Sequence, residues 1–348
     1  LLYTLIGISC LVACTSSPDS HFPRYSDFAK TKALSAQVIN LDTILFRYPF
    51  RVAVRDSIAV VMDLHNMDHY LHAFTYPEWK HIASFGRRGE APQEMLSAIS
   101  IQFNSLDSLW AIDANKMEIT RWKISPSTRS AERVEEIKLD KELVRSLDFH
   151  TMESGFFIPD YMGEFRYWEV DSNGKPVKSI GEIPGETIDE NTVRPALAQA
   201  WRSFMDYNPD NGILAIATQL GEVFEIFNLK DNTHKVLYGP AGEPQYKTAK
   251  DGTGVPTGIM GFSDIKVTSK YIYAVFQGIK FDDKIAAIKQ GKEPENGAKY
   301  IYVFDLEGNP VRRYELDRRI NSIDINEETN TIVATEAKSD DPIIEFKI

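Results

Sequence analysis

The chain has 348 residues, with 39 Lys and Arg against 50 Asp and Glu for a net charge of −11, and two cysteines. That acidic balance argues against a nucleic-acid partner, and 43% apolar with 26% charged residues is a globular composition that excludes disorder and collagen-like fibre. A chain this long buries a large core without disulfide or metal staples.

Residues Leu1 to Ala13 carry no charge and have the length of a signal peptide, short of the roughly 20 residues that span a bilayer. The stretch ends Leu11-Val12-Ala13-Cys14, similar to the lipobox that marks a bacterial lipoprotein for acylation on its cysteine. Residues 1–13 are therefore expected to be a lipoprotein signal peptide, Cys14 the lipidated residue, and 14–34 a flexible tether opening on the polar run Thr15 to Ser20. The other reading is an ordinary secretory signal with an incidental cysteine. Because Cys10 leaves with the signal, the mature chain keeps no thiol for redox, nucleophilic or zinc chemistry. The expected address is the bacterial cell envelope, with membrane contact made through the lipid at the outer membrane, on its periplasmic or surface side.

From residue 35 onward, short β-branched and aromatic runs are cut by Gly, Asn, Asp and Pro, which predicts an all-β unit over 35–348. A repeat is visible: Asp171, Gly174, Pro176 and Val177 match Asp305, Gly308, Pro310 and Val311 at one offset of 134. Six instances occur of an apolar strand, a polar turn and a strand with an aromatic anchor. The anchors are Phe74, Trp122, Trp168, Phe227, Phe304 and Phe346, spaced 48, 46, 59, 77 and 42 residues apart. Such periods predict a six-bladed β-propeller, with insertions where the spacing is longest. Two insertions read as short helices, at Ala196 to Trp201 and Phe281 to Gly291. The last unit, ending Ile343 to Ile348, is one strand short, and the spare strand around Val38 to Leu41 is expected to close it.

Tyr70 to Pro77, followed by Ser84-Phe85-Gly86-Arg87-Arg88-Gly89-Glu90-Ala91-Pro92, resembles the first blade of TolB-like six-bladed propeller lipoproteins of gut anaerobic bacteria. The Phe-Gly-x-x-Gly-x-x-Pro spacing is similar to the inter-blade turn of NHL-type propellers, and Lys299 to Asp305 fits the fifth blade. The resemblance covers about residues 35–348 and implies architecture and address rather than an activity.

In such a ring, the loops between second and third strands share one face with the crossovers between blades, and ligands usually bind there. That funnel face is expected to carry His65, Arg87, Arg88, Asp113, Asn115, Asp160, Tyr161, Gln219 and Gln277. Arg87 and Arg88 on a Gly-flanked turn could offer planar donors to a carboxylate or sulfate, or be ion-paired to Glu90 or Glu94 at a blade junction. The aspartates either contribute to a site or cap their own turns. The Phe281 to Gly291 insertion is either a lid or docking element or a solvated excursion. His65, His69, His72 and His81 cluster in sequence, but strand alternation separates their faces, so no metal and no cofactor are expected.

Phosphate-loop, Gly-x-Ser-x-Gly and sialidase-box patterns are absent from the sequence. The expected function is a non-catalytic, membrane-anchored binding propeller recognising a protein partner or extracellular ligand. The alternative is a metal-dependent propeller hydrolase or lactonase, which would need Asp63, Asp113, Asp160, Gln219, Gln277 and Glu336 to converge on the axis.

Overall fold

A computed structural model describes residues 22–348 except 27, 42–43, 106–107, 190 and 337. The expected signal peptide, Cys14 and the first part of the expected tether lie outside the described residues. Six four-stranded antiparallel units follow one another, with the first strand of each innermost. The inner strands are Pro49–Arg55, Ala98–Ser105, His150–Met152, Ser203–Asn208, Ile259–Val267 and the second half of Pro310–Asn326. That last strand is 17 residues long; its first half is the outer strand of blade 5 and its second half the inner strand of blade 6, so the two blades share one continuous sheet.

Each apolar run recognised in the sequence is the second strand of a blade. Ile58–Asp63, Ser108–Asp113, Gly155–Pro159 and Ile213–Thr218 are buried at every position. Neighbouring blades cover both faces of such a strand, so it reads as a continuous apolar run rather than an alternation. Five of the anchors, Phe74, Trp122, Phe227, Phe304 and Phe346, are buried on third strands, while Trp168 is half-buried. The core is distributed between blades; one cluster joins Phe224 of blade 4 to Phe262, Phe276 and Phe304 of blade 5, with Phe224 and Phe304 stacked at 4.8 Å.

The repeated turns are superposable in their chemistry. Asp171 Oδ1 accepts the backbone N–H groups of Asn173 and Lys175, and Asp305 Oδ1 those of Glu307 and Asn309. Gly174 and Gly308 occupy the left-handed region at φ +78° and +85°, where a Cβ would also strike the adjacent blade, at Lys138 and Leu237 respectively.

The clasp forms: Gln37–Ile39 pairs antiparallel with Ile343 to Glu345, with Val38 opposite Ile344. The ordered segment extends further upstream than the expected boundary at residue 35. Thr31–Leu34 adds a parallel strand to Arg313 through Leu316 on the outside of blade 5. Before it, Tyr25 N–H donates to the Tyr238 carbonyl on blade 4, and Tyr238 N–H to that of Pro23. Residues 22–26 and 28–34 thus form a strap over the rims of blades 4 and 5, not a free tether, because Tyr25 and Phe28 pack edge-on against Phe304.

Two faces result. The turn face carries the links between first and second and between third and fourth strands. The insertion face carries the second-to-third-strand loops and the crossovers. Helix α1 (Arg194–Ala200), the small hairpin of Tyr246–Thr248 with Gly254–Pro256, and helix α2 (Phe281–Lys289) all belong to the insertion face.

Candidate functional site

The residues expected on the insertion face lie on its loops and their flanks, and most are committed to backbone groups. Asp113 accepts from the N–H groups of Leu96, Ser97, Asn115 and Lys116 at 2.6–3.1 Å. Asp63, fully buried, does the same for Arg47, Tyr48 and His65. Asp160 accepts from Met162, Glu164 and Phe165 and, at 3.3 Å, from the Trp168 indole. These carboxylates hold the loop leading into a blade, or a loop within it, which is the turn-capping chemistry favoured by Asp at strand ends.

Blade 1 gathers three of the expected residues. Arg88 Nη1 donates to the carbonyls of Leu64 and Asn66 and its guanidinium lies 5.0 Å from the Tyr70 ring centre, while the His65 ring stacks on Tyr48. Arg87 points outward, with Nε 3.5 Å from Glu94 Oε1 and the side chain 74% exposed. Elsewhere, Tyr161 donates its hydroxyl to the Ser203 carbonyl, and Gln219 uses its backbone to join Arg202 and Gly261. Gln277 is buried with Oε1 unpartnered. The expected residues are therefore distributed around the face, one or two per blade, rather than assembled into one cluster. Among the described residues, no group of three His, Cys, Asp or Glu side chains could hold a metal ion.

A second arrangement, not anticipated from the sequence, lies along the axis. Asp148, Asp206, Asp264 and Asp324 come from the inner-strand segments of blades 3 to 6, at spacings of 58, 58 and 60 residues. Each accepts the backbone N–H of the next blade's inner strand: Asp148 from Met205 at 2.9 Å, Asp206 from Val267 at 2.7 Å, Asp264 from Ile323 at 2.9 Å and Asp324 from Val54 at 2.6 Å. An inner strand has a free edge facing the axis, and the aspartates satisfy one of its unpaired donors at each junction.

Two charged tiers follow. In the deeper one, the buried Arg51 donates to the Ser263 carbonyl at 2.9 Å, stands 3.8 Å from Asp264, and has its guanidinium between the rings of Phe50 and Phe204. Burial raises the pKa of Asp148 there, against the opposing pull of Arg51 and of its hydrogen bonds from Met205 and Ser100. The outer tier opens into a cavity of about 550 Å³ at the turn face, lined by residues of all six blades. His150 Nε2 lies 3.4 Å and Lys266 Nζ 4.0 Å from Asp206 Oδ1. Burial disfavours the Lys266 ammonium, but Asp206, Asp324 and Asp264 outweigh it and raise its pKa, so the charge is retained. For Asp206, burial is likewise outweighed by Lys266 and His150, and its carboxyl is held below the usual range. Burial raises Asp324.

A sequence model of TolB-like 6-blade propeller-like proteins matches residues 27–328. The chain belongs to that family. Among solved structures, a Bacteroides fragilis protein whose name marks it as exported is similar at TM-score 0.55 and 12% identity, covering 93% of this chain and 98% of its own. A Bacteroides vulgatus member of the DUF4221 family gives 0.57 and 9%, with 91% and 96% covered. The Neurospora crassa Pan2 WD40 domain gives 0.52 and 11%, with 91% and 95% covered. At these identities the likeness concerns the fold, and a fold alone does not assign a function. No curated protein sequence matches the chain.

Proposed function

We propose that this TolB-like chain is an exported, non-catalytic binding propeller of the bacterial cell envelope, tethered to the outer membrane by a lipid on Cys14, and that its insertion face recognises a protein partner or extracellular ligand. The observation that carries the reading is the concentration of added structure on one face. Helix α1, the 246–256 hairpin and α2 all interrupt the blade pattern there, and α2 has no buried residue although it carries Ile285 and Ile288, 46% and 62% exposed. Excursions of this size on a rigid scaffold are typical of binding elements. The Arg87–Arg88 turn belongs to the same face; Arg87 is paired with Glu94 at 3.5 Å, but with its side chain 74% exposed an acidic group of a partner can compete for it. An overall charge of −11 around one local cation favours a selected anionic partner over polyanions at large.

The hydrolase alternative finds less support. A metal ligand must offer free lone pairs toward the ion, whereas Asp63, Asp113 and Asp160 each accept three or more hydrogen bonds from surrounding loops.

The test is affinity capture from envelope extract with the full chain, followed by comparison of the parent with Arg87→Ala and with a form lacking 281–291. Loss of the captured partner in either variant, with folding intact, is expected. Parent-like capture by both would place recognition elsewhere. In the same strain, Cys14→Ala is expected to move the protein from the membrane to the soluble fraction, and unchanged partition would remove the lipid anchor from the proposal.

A further inference from the structure

We infer that the axial cavity at the turn face is a second binding site, and that its ligand is a small, neutral, polyhydroxylated molecule, a saccharide by chemical class. Two of the least exposed polar side chains lining this cavity make no hydrogen bond among the described residues. The Gln102 amide is 8% exposed, lines the cavity and makes no hydrogen bond among the described residues. Lys266 also lines it, its side chain 14% exposed; its ammonium makes no hydrogen bond among the described residues, since Asp206 Oδ1 at 4.0 Å is beyond hydrogen-bonding range. Both groups face the cavity rather than the packed core, so a ligand entering it must replace water on an amide and an ammonium with matching hydrogen-bond partners.

The chemistry of the lining selects among ligands. Five carboxylates and two cations line the cavity, so an anion brought to Lys266 would also meet Asp206 and Asp324. A cation would be drawn to the carboxylates but could give Lys266 nothing, because an ammonium only donates. A hydroxyl both donates and accepts. One hydroxyl between Lys266 and Asp206 satisfies both groups across their 4.0 Å separation, and another can do the same for the Gln102 amide. Several such groups on one small molecule describe a sugar. At the rim, Asn104 adds a further amide, and Tyr207, wedged edge-on against Phe157 and His150, adds a fixed ring. The volume of about 550 Å³ lies within the range of small-molecule pockets. This site is on the opposite face from the one proposed for partner recognition, so the two stand or fall separately.

The experiment is ligand-observed NMR with the full chain against glucose, galactose, N-acetylglucosamine, maltose and cellobiose, with glucuronate, glutamate and lysine as charged comparators. At least one neutral sugar is expected to bind at millimolar concentration. Gln102→Ala should raise its Kd about tenfold with Tm unchanged, because the Gln102 side-chain amide makes no hydrogen bond among the described residues, and Lys266→Met should raise it further. If Lys266→Met does not fold, Gln102→Ala decides alone. The inference is overturned if no neutral sugar binds, if a charged comparator binds in preference, or if Gln102→Ala binds like the parent.

Discussion

Asp324 Oδ2 accepts the backbone N–H of Val54 at 2.6 Å, which fastens the inner strand of the last blade to that of the first. Its other oxygen accepts from Ile325 at 2.8 Å. With Asp148, Asp206 and Asp264 the contact forms a series of side-chain staples around the axis, where the inner strands have no further strand to pair with.

Asp324→Ala is therefore expected to destabilise the ring by about 1–3 kcal/mol, because it leaves two backbone donors without partners. Asp324→Asn should cost less. Its amide oxygen can still accept, and burial already works against the charge on Asp324. Urea unfolding of the three proteins checks the order; equal stability of Asp324→Ala and the parent would remove the staple from the account.

The clasp supplies a second test. Deleting residues 35–42 removes the strand paired with Ile343 to Glu345 and leaves the edge of blade 6 open. Tm should fall by about 5 °C or more, with aggregation on heating. A truncated ring that melted with the parent would show that strand 37–39 contributes nothing to closure.

His72 makes stability depend on pH. It is 3% exposed in blade 1, and burial lowers its pKa from the ordinary 6.5 to about 4, only partly countered by Asp63 and reinforced by His81 and His69. The unfolded chain therefore takes up a proton between these two values that the folded chain refuses. The contribution is intact above pH 6.5 and is lost as the pH falls toward 4, on the order of 3 kcal/mol in all. His72→Gln should flatten that part of the stability profile. Parent and variant profiles of equal slope between pH 6.5 and 4 would refute the assignment.

The ring was legible from the sequence because its second strands are covered on both faces and its turns recur. Ile58–Asp63 and Ser108–Asp113 could hardly be other than core strands, and Asp171 with Gly174 recurs as Asp305 with Gly308 because the same two-donor cap and left-handed turn are needed twice. The strap was not legible. Thr31–Leu34 is a strand only because Arg313 through Leu316 offers an open edge, and nothing local in Thr-Lys-Ala-Leu demands it. The axial cavity was missed for a related reason. Single aspartates, one lysine and one glutamine in separate inner strands look like ordinary turn or surface residues until closure brings them together. The spacing of 58, 58 and 60 residues between Asp148, Asp206, Asp264 and Asp324 was the available signal, partly hidden by the larger variation in the aromatic anchors.

The strap also sets where the proposed anchor would pull on the ring. Pro23 and Tyr25 are stitched to Tyr238 on the outer strand of blade 4, so the described chain starts at the circumference of the ring and not at its axis. A wheel held by its tyre stands on edge. If the proposed anchor on Cys14 pulls there, the insertion face and the turn face point sideways, so the proposed partner on one and the proposed ligand on the other need not compete for the same approach.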